Sequence, residues 1–250
     1  MYVFSLMKEG MRRPFVIAHR GASGLTGEDN TLVSYERAIE IGCDFVEFDV
    51  RRTGDGMPIC FHDPEIDGIP VGEISHKELN LRAGVEVPTL KETVEQVKGR
   101  IKLDVDLKEE GYEEEVLNII TQYFNADELL VKSFHDPIIQ NISACNPEIK
   151  TGLLVGTHDE KGTPEEKMEK IHKRIELCGC TFLSPQLQLY RQGLSKHPEL
   201  GQYEIYVWAV NTPEEIDEVL FSDVTGIISD HPDRVLDRLR NFPKQARYRE

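Results

Sequence analysis

The chain has few cysteines and no long apolar run. Its five cysteines are odd in number and scattered through mostly apolar stretches: Cys43, Cys60, Cys145, Cys178 and Cys180. This pattern excludes a disulfide framework and is typical of reduced core residues, so we expect a cytoplasmic protein. No apolar run approaches the roughly 20 residues that a membrane helix needs, and residues 1–14 lack a signal-peptide pattern. We therefore expect no stable insertion into a membrane.

Positive charge is also scarce. The 250 residues include 29 Lys and Arg against 45 Asp and Glu, which gives a formal net charge of −16. Such a chain repels the phosphate backbone that supplies most nucleic-acid affinity, so we expect no nucleic-acid partner. The hydrophobic fraction of 39% is ordinary for a globular protein. Because the sequence contains no linker or internal repeat, we expect a single domain that spans residues 1–250.

Short runs rich in β-branched and aromatic residues alternate with segments of helical spacing. The predicted strands are 15–18, 44–50, 57–61, 101–107, 129–133, 151–155, 181–183, 204–210 and 226–229. The predicted helices are 32–41, 90–97, 112–123, 137–144, 164–177, 189–196, 213–221 and 232–239. This alternation predicts parallel strands that are joined by helical crossovers, because a parallel connection needs a dozen or more residues.

One connection is too short for a crossover. Residues 51–56 end in Asp55-Gly56, which favours a two-residue turn, so the third run is predicted to be the return arm of a β-hairpin. The remaining eight strands and eight helices have the order and length of a (β/α)₈ TIM barrel. We therefore predict an α/β TIM barrel with a hairpin extension after the second strand and only a short insertion, 63–88. A doubly wound sheet is the competing architecture, but the chain has no Gly-rich dinucleotide or P-loop motif.

Acidic side chains are concentrated on two predicted strands. Glu47 and Asp49 are two residues apart and share one side of their strand, and the same spacing places Asp104 and Asp106 together with Lys108. The carboxyl ends of barrel strands carry the catalytic residues of this fold. Carboxylates that meet at one point favour a hard divalent cation. We predict Mg²⁺ or Ca²⁺ bound by Glu47, Asp49 and Asp106, with Asp104 as the alternative to Asp106.

The predicted hairpin carries a histidine toward these acids. If Asp55 and Gly56 are the central turn residues, His62 lies opposite Asp49, and the two Cβ atoms are about 4.5–5.5 Å apart. A slip of one residue would send His62 to the other face. The hairpin therefore predicts a shared pocket for His62 and the acids.

Basic residues complete the predicted site. His19 and Arg20 end the first strand, and Lys108 follows the acids of a later strand. A metal ion with Arg20 and Lys108 would bind anionic oxygens, while His19 and His62 can divide the roles of base and acid. These residues predict phosphoryl chemistry. Trp208, at a strand end, packs in the core or covers the carbon chain of the substrate.

The sequence resembles the glycerophosphodiester phosphodiesterase family in an ordered set of short motifs along nearly the whole chain. The motifs are Ala18-His19-Arg20-Gly21-Ala22-Ser23-Gly24, Asp29-Asn30-Thr31, Glu47-Phe48-Asp49-Val50, Thr53, Asp55-Gly56, His62-Asp63, Val87-Pro88-Thr89-Leu90-Lys91-Glu92, Asp106-Leu107-Lys108, Ser133-Phe134, Val207-Trp208-Ala209-Val210-Asn211 and Gly226-Ile227-Ile228-Ser229-Asp230. The resemblance implies a metal-dependent barrel hydrolase that splits a glycerophosphodiester into glycerol 3-phosphate and an alcohol.

The resemblance also implies roles for single residues. It implies His19 and His62 as the catalytic acid and base, and Glu47, Asp49 and the third-strand acid as metal ligands. The nucleophile it implies is water or a glycerol hydroxyl of the substrate.

This chain departs from the family at two acids. The family usually has Glu before the Asn-Thr pair and on the third strand, where this chain has Asp29 and Asp106. Because the loop that precedes the pair is one residue longer, Glu28 is the alternative to Asp29 in a supporting role. The shorter Asp106 carboxylate shifts the metal, recruits a bridging water or lowers activity.

Two other functions stay open from the sequence. One is a phospholipase D-like activity on lysophospholipids, which needs an apolar groove, and the insertion offers only Ile66, Ile69 and Val71 for one. The other is a barrel that binds a phosphorylated ligand without catalysis, because one fold hosts unrelated functions.

Overall fold

The computed structural model describes residues 13–157, 162–194 and 202–241. Its strands, in chain order, are β1 (Phe15–Ala18), β2 (Phe45–Arg52), β3 (Pro58–Cys60), β4 (Glu65–Ile66), β5 (Ile69–Pro70), β6 (Lys102–Leu107), β7 (Leu129–Ser133), β8 (Lys150–Val155), β9 (Phe182–Pro185), β10 (Glu204–Val207) and β11 (Gly226–Ser229). Eight of them form a parallel sheet in the order β1-β11-β10-β9-β8-β7-β6-β2, and the β1–β2 pair closes it. This closure confirms the predicted TIM barrel.

Helices connect successive barrel strands. In chain order they are α1 (Ser23–Thr26), α2 (Leu32–Ile41), α3 (His76–Ala83), α4 (Leu90–Val97), α5 (Glu113–Ile120), α6 (Asp136–Cys145), α7 (Pro164–Cys178), α8 (Leu187–Arg191), α9 (Pro213–Leu220) and α10 (Pro232–Asn241). The bounds of α2 and α4 are those predicted, whereas α1 and α3 have no counterpart among the predicted helices. The helix α8 begins two residues before the predicted helix 189–196 and ends at Arg191, and of the predicted helix only residues 195–196 lie outside the described residues.

Threonine caps fix the start of several helices. The hydroxyls of Thr31, Thr89, Thr163 and Thr212 each accept a hydrogen bond from the amide three residues later. Each of these helices also has a reciprocal side-chain bond back to the cap, which satisfies two amides that the helix itself leaves unpaired. These local signals explain why the helix starts could be predicted from the sequence.

Residues alternate between the two faces of each barrel strand. On β2, Val46, Phe48 and Val50 pack outward with the helices, whereas Phe45 belongs to a separate apolar cluster inside the barrel. We call that cluster the barrel floor, and its members are Ile17, Phe45, Leu130, Phe182, Tyr206 and Ile228. They come from six different barrel strands and are at most 4% exposed. Glu47 and Asp49 follow Phe45 on the inward face, so the strands carry their acids above the floor.

The hairpin turn is one residue longer than predicted. The amide of Thr53 donates to the carbonyl of Met57, which leaves Gly54-Asp55-Gly56 as a three-residue loop with Gly56 at φ 85°. The Asp55 carboxylate accepts hydrogen bonds from the Thr53 hydroxyl (2.6 Å) and from the amide of His76 (3.1 Å). Because His76 begins α3, a contact from the insertion helps to hold the longer loop.

The longer turn changes the register of β2 and β3. Val50 pairs with Cys60, and the amide of Phe61 donates to the carbonyl of Asp49 at 3.0 Å. The prediction that His62 lies directly opposite Asp49 is therefore wrong, because Phe61 occupies that place. His62 is one position further along, beyond the end of β3.

The insertion between β3 and α4 has its own small core. It contains β4, β5 and α3, and the buried residues of the core are Ile59, Val71, Ile74, Leu79 and Val87. The partly buried Ile66 and Ile69 pack against them. The three apolar residues that could have formed a lipid groove, Ile66, Ile69 and Val71, thus belong to the packing of the insertion. Among the described residues, no helix combines the length and apolar character that a membrane crossing requires.

Candidate active site

Three carboxylates meet inside the upper part of the barrel. The parallel register of β2 and β6 places Glu47 beside Asp104 and Asp49 beside Asp106. One carboxylate oxygen each from Glu47, Asp49 and Asp106 lies within 4.8 Å of the other two, and all three residues are buried. Asp106 Oδ1 is buried without a hydrogen-bond partner in the structure. This all-oxygen set with an unused ligand atom fits a hard divalent cation such as Mg²⁺ or Ca²⁺.

Two basic side chains contact the same acids. Lys108 Nζ lies 2.7 Å from Asp49 Oδ1 and also bonds the Asp106 carboxylate. Arg20 Nε lies 3.3 Å from Asp49 Oδ2, and the Arg20 amide donates to Glu47 Oε2 at 2.8 Å. Burial would raise the pKa of Asp49, but the charges of Lys108 and Arg20 hold that pKa well below its usual range. Asp49 therefore stays ionised.

The loop after β1 shapes this side of the site. Arg20 and Asn30 both adopt φ 53°, and Gly21 adopts φ 80°. A Cβ at Gly21 would lie 2.6 Å from the backbone carbonyl carbon of Ser34, so only glycine fits there. Asn30 Nδ2 donates to Asp49 Oδ2 at 2.8 Å, and Asn30 Oδ1 accepts from the Asp49 amide at 3.1 Å. Asn30 thus fixes the Asp49 carboxylate, a role that the sequence did not reveal.

The two acids that precede Asn30 differ in their contacts. Asp29 Oδ2 accepts a hydrogen bond from Arg20 Nη1 at 3.0 Å, so Asp29 braces the guanidinium. Glu28 is exposed, and its backbone carbonyl accepts from the Thr26 hydroxyl. The structure therefore brings Asp29 to the site through Arg20.

His19 is held by a chain of polar residues at the ends of β10 and β11. Its Nδ1 lies 2.5 Å from Asp230 Oδ1, and Asn211 Nδ2 donates to Asp230 Oδ2 at 2.5 Å. Burial would lower the pKa of His19, but the charge of Glu47 and the bond to Asp230 raise it above its ordinary value. Since a carboxylate needs an N–H at Nδ1, Nε2 is the atom left for chemistry. In the sequence, Asp230 and Asn211 stand out only as parts of the family motifs.

His62 lies near the end of β2 and is less enclosed. Its Nδ1 lies 2.8 Å from Asp63 Oδ1, and its side chain is 39% exposed. The carbonyl of His62 accepts a hydrogen bond from Arg51 Nε at 2.8 Å, and Arg51 also pairs with Glu109. Arg51 shares the inward side of β2 with Glu47 and Asp49. The backbone at His62 is therefore bonded to the strand that carries the acids. Among the hydrogen bonds and ion pairs of the described residues, none joins the His62 side chain to Glu47, Asp49 or Asp106, so its predicted place beside these acids stays a prediction.

A buried lysine lies beside the acids. Lys132 Nζ on β7 is 2.6 Å from Asp104 Oδ2 and 3.5 Å from Glu47 Oε1. Burial and the nearby charge of Glu47 raise the pKa of Asp104 to about 7, although Lys132 acts in the opposite direction. Asp104 thus pairs with Lys132, whereas Asp106 belongs to the group of three carboxylates. Lys132 is not among the predicted site residues.

Trp208 immediately follows β10 and is only partly buried. Its indole N–H donates to the carbonyl of Ser184 at 2.8 Å, and its ring meets Phe134 edge to face with centroids 5.9 Å apart. It also packs against the barrel floor. These contacts fix the indole plane and leave part of the ring accessible.

The fold and this site define a TIM barrel whose acidic and basic side chains gather at the carboxyl ends of the strands. The sequence profile of the Glycerophosphoryl diester phosphodiesterase family matches residues 19–234. The chain therefore belongs to this family and is a phosphoric diester hydrolase.

Individual relatives align with this chain over nearly its full length. A glycerophosphodiester phosphodiesterase from Caldanaerobacter subterraneus subsp. tengcongensis is 25% identical, with 91% of this chain and 98% of that protein covered. A phosphodiesterase from Oleispira antarctica, solved in complex with the product sn-glycerol-3-phosphate, is 25% identical with a TM-score of 0.75 over 92% of this chain and 98% of that chain. A glycerophosphodiester phosphodiesterase from Parabacteroides distasonis has a TM-score of 0.76 at 24% identity, with 92% and 98% covered.

Proposed function

We propose that this protein hydrolyses glycerophosphodiesters to glycerol 3-phosphate and an alcohol with the help of a divalent cation. The observation that carries the proposal is the buried group of Glu47, Asp49 and Asp106, whose ligand atoms lie within 4.8 Å of one another and include an unpartnered oxygen. Membership of the family and the solved product complex of the Oleispira antarctica relative support the substrate class.

Glu47, Asp49 and Asp106 would hold the cation. When bound, Mg²⁺ or Ca²⁺ supplies positive charge that neutralises the phosphate oxygens and stabilises the charge that develops during hydrolysis. Arg20 and Lys108 add two fixed positive groups at the same place, and both contact the buried carboxylate of Asp49. Together these groups admit an anionic substrate to a protein of net charge −16.

His19 and His62 would move the protons. Each ring has its Nδ1 bonded to a carboxylate, Asp230 or Asp63, so Nε2 is the atom that would accept or donate the proton. One histidine activates the nucleophile and the other protonates the leaving alkoxide. With water as the nucleophile, glycerol 3-phosphate forms in this one step. With a hydroxyl of the glycerol group as the nucleophile, a cyclic phosphate forms first, and a water molecule activated by a histidine then opens it to glycerol 3-phosphate. Trp208 would cover the carbon chain of the glycerol group.

The active site gives the proposal a direct test. Glycerol 3-phosphate release from glycerophosphocholine and from glycerophosphoethanolamine should occur with added Mg²⁺ or Ca²⁺ and fall to background with excess chelator. His19→Ala and His62→Ala should each lower kcat by about 100-fold or more, since a positioned acid or base contributes about that much. His172→Ala, on the outer helix α7, is the matched control and should keep full activity. Full turnover in either active-site variant would refute the role of that histidine.

The products distinguish this reaction from lysophospholipase D activity. The apolar residues of the insertion pack into its own core, which favours water-soluble glycerophosphodiesters over lysophospholipids. Faster release of choline from lysophosphatidylcholine than from glycerophosphocholine would reverse this preference.

The five free cysteines support a reducing, cytoplasmic location.

A further inference from the structure

Below the proposed cation site, the barrel buries a charged pair, Lys132 and Asp104, to which the proposed reaction gives no role, and Lys132 also contacts the proposed cation ligand Glu47. Lys132 on β7, Asp104 on β6 and Glu47 on β2 come from three adjacent strands of the barrel. All three are at most 2% exposed. Directly beneath them lies the barrel floor, to which Phe45 and Leu130 contribute from β2 and β7. A lysine enclosed in this way has only these two carboxylates as ionic partners among the salt bridges of the described chain.

Lys132 is shared unequally between its partners. Its Nζ lies within hydrogen-bond distance of Asp104 Oδ2, at 2.6 Å, whereas its 3.5 Å separation from Glu47 Oε1 is an ionic contact only. The other oxygen of Glu47 accepts the amide of Arg20 at 2.8 Å. Glu47 Oε1 therefore keeps its lone pairs available, because the ammonium is bound elsewhere.

The formal charges around the proposed cation site show why the position of the Lys132 ammonium affects cation binding. Glu47, Asp49, Asp106 and Asp104 carry four formal negative charges, and Arg20, Lys108 and Lys132 carry three positive charges. An ammonium that bonded Glu47 fully would neutralise one of the three proposed cation ligands and repel the cation as well. Without Asp104, nothing among these contacts would hold Lys132 away from Glu47.

We infer that Asp104 and Lys132 are positioning residues for the cation site: Asp104 draws the Lys132 ammonium aside, and Glu47 stays available as a ligand. This inference rests on the proposed function, because it needs a cation at Glu47, Asp49 and Asp106. In this inference Asp104 does not bind the cation and instead binds the Lys132 ammonium. The pair sets the affinity for the cation without touching it or the substrate.

Cation binding to purified variants tests the inference without reference to turnover. Isothermal titration calorimetry with MgCl₂ and with CaCl₂ compares the natural protein with Asp104→Asn, Lys132→Met and the double variant. Asp104→Asn frees Lys132 to bond Glu47, so it should weaken cation binding on the order of tenfold or more. The double variant removes both charges of the pair and should recover affinity to within about threefold of the natural protein.

Lys132→Met gives an independent test if Asp104→Asn does not fold. It removes the competing ammonium and should bind cations at least as tightly as the natural protein. Unfolding midpoints in excess EDTA report the structural contribution of the buried pair separately from cation binding. Unchanged affinity in Asp104→Asn, an unrecovered double variant, or a tenfold loss in Lys132→Met would each overturn the inference.

The natural protein separates this inference from the proposed function. If it binds neither Mg²⁺ nor Ca²⁺, the proposed cation site fails and the inference falls with it. If it binds cations normally and Asp104→Asn does the same, only the role of the Asp104–Lys132 pair is refuted.

Discussion

The protonation of His19 depends on two carboxylates from different strands. Glu47 on β2 acts through its charge, and Asp230, just after β11, acts through a direct hydrogen bond of 2.5 Å. The same bond, together with the charge of the imidazolium, outweighs the effect of burial on Asp230 and lowers its pKa to about 2. Each member of the pair therefore favours the charged form of the other.

Replacing Asp230 with Asn should lower the pKa of His19. The amide keeps a hydrogen-bond acceptor but removes the negative charge that favours imidazolium. The measurement is the pH titration of the His19 ring resonances by NMR in the presence of chelator. Asp237→Asn, on the exposed face of α10, is the control and should leave the titration unchanged. An unaltered His19 titration in Asp230→Asn would show that the bond does not govern this ring.

The same pair predicts how stability depends on pH. The raised pKa of His19 adds stability below its ordinary pKa of 6.5, and this gain is lost as pH rises through the folded-state pKa. The lowered pKa of Asp230 adds stability above its ordinary value of 3.8, and this gain is lost as pH falls toward about 2. Between the ordinary pKa values of Asp230 (3.8) and His19 (6.5), both gains are present. In this pH range, urea unfolding should show Asp230→Asn less stable than the natural protein by about 1–3 kcal/mol. The deficit should shrink above the folded-state pKa of His19.

Single residues of the site differ in whether their contacts could be predicted from the sequence. The alternation of Glu47 with Phe48 and Asp49 is local, so their shared face was predictable. Asn30 and Lys132 reach the same acids from other parts of the chain, and nothing in their immediate sequence indicates which carboxylate they meet. Their roles depend on tertiary contacts.

At the scale of elements, positive-φ glycines divide into those that are packed and those that are free. At Gly21, with φ 80°, a Cβ would have the backbone and hydroxyl of Ser34 within 2.7 Å, whereas at Gly56, with φ 85°, it would have no neighbour within 4 Å. The backbone strain of a side chain is similar at both positions, but only Gly21 adds a steric clash. The β1–α2 connection is thus far less tolerant than the hairpin loop.

Alanine at these two positions makes a matched comparison. Gly56→Ala should cost about 1 kcal/mol, the usual strain of a residue in the left-handed region. Gly21→Ala should cost at least about 2 kcal/mol more and lower activity, because relief of the clash moves Arg20 and the start of α2. Unfolding free energies and kcat/KM of both variants check this. Equal losses in the two variants would contradict the packing argument.

Element order was predictable, but the hairpin register was not. Barrel strands and helix starts follow from alternation and from threonine caps such as Thr89 and Thr212, which are encoded within a few residues. The turn at Asp55-Gly56 was predicted to have two residues and has three, and its Asp55 carboxylate is bonded by the distant His76 amide. With the three-residue loop, Phe61 rather than His62 lies opposite Asp49.

At the scale of the whole molecule, a cation at the proposed site would link binding to unfolding. A cation that binds only the folded barrel stabilises it by about 2.7 kcal/mol at a concentration 100 times its Kd. For a chain of this size, that stabilisation corresponds to roughly a 5–10 °C rise in Tm. Scanning calorimetry with Mg²⁺ or Ca²⁺, against excess chelator, measures the shift.

Asp106→Asn tests the origin of that shift. It removes one proposed ligand and should abolish the cation-dependent rise in Tm while the barrel still unfolds cooperatively. Asp127→Asn, in the short 3₁₀ helix Ala126–Glu128 before β7, is an acid outside the site and should keep the full rise. A shift of equal size in Asp106→Asn would place the bound cation elsewhere.

The barrel floor closes one end of the barrel, so the active site opens only at the other end. Six side chains from six strands fill the lower end of the barrel, which is therefore a packed core and not a pore. Substrate and both products must share the upper opening, where His62 and the insertion lie. The alcohol and glycerol 3-phosphate must therefore leave through the opening by which the substrate enters. Slow release of either product would block binding of the next substrate molecule.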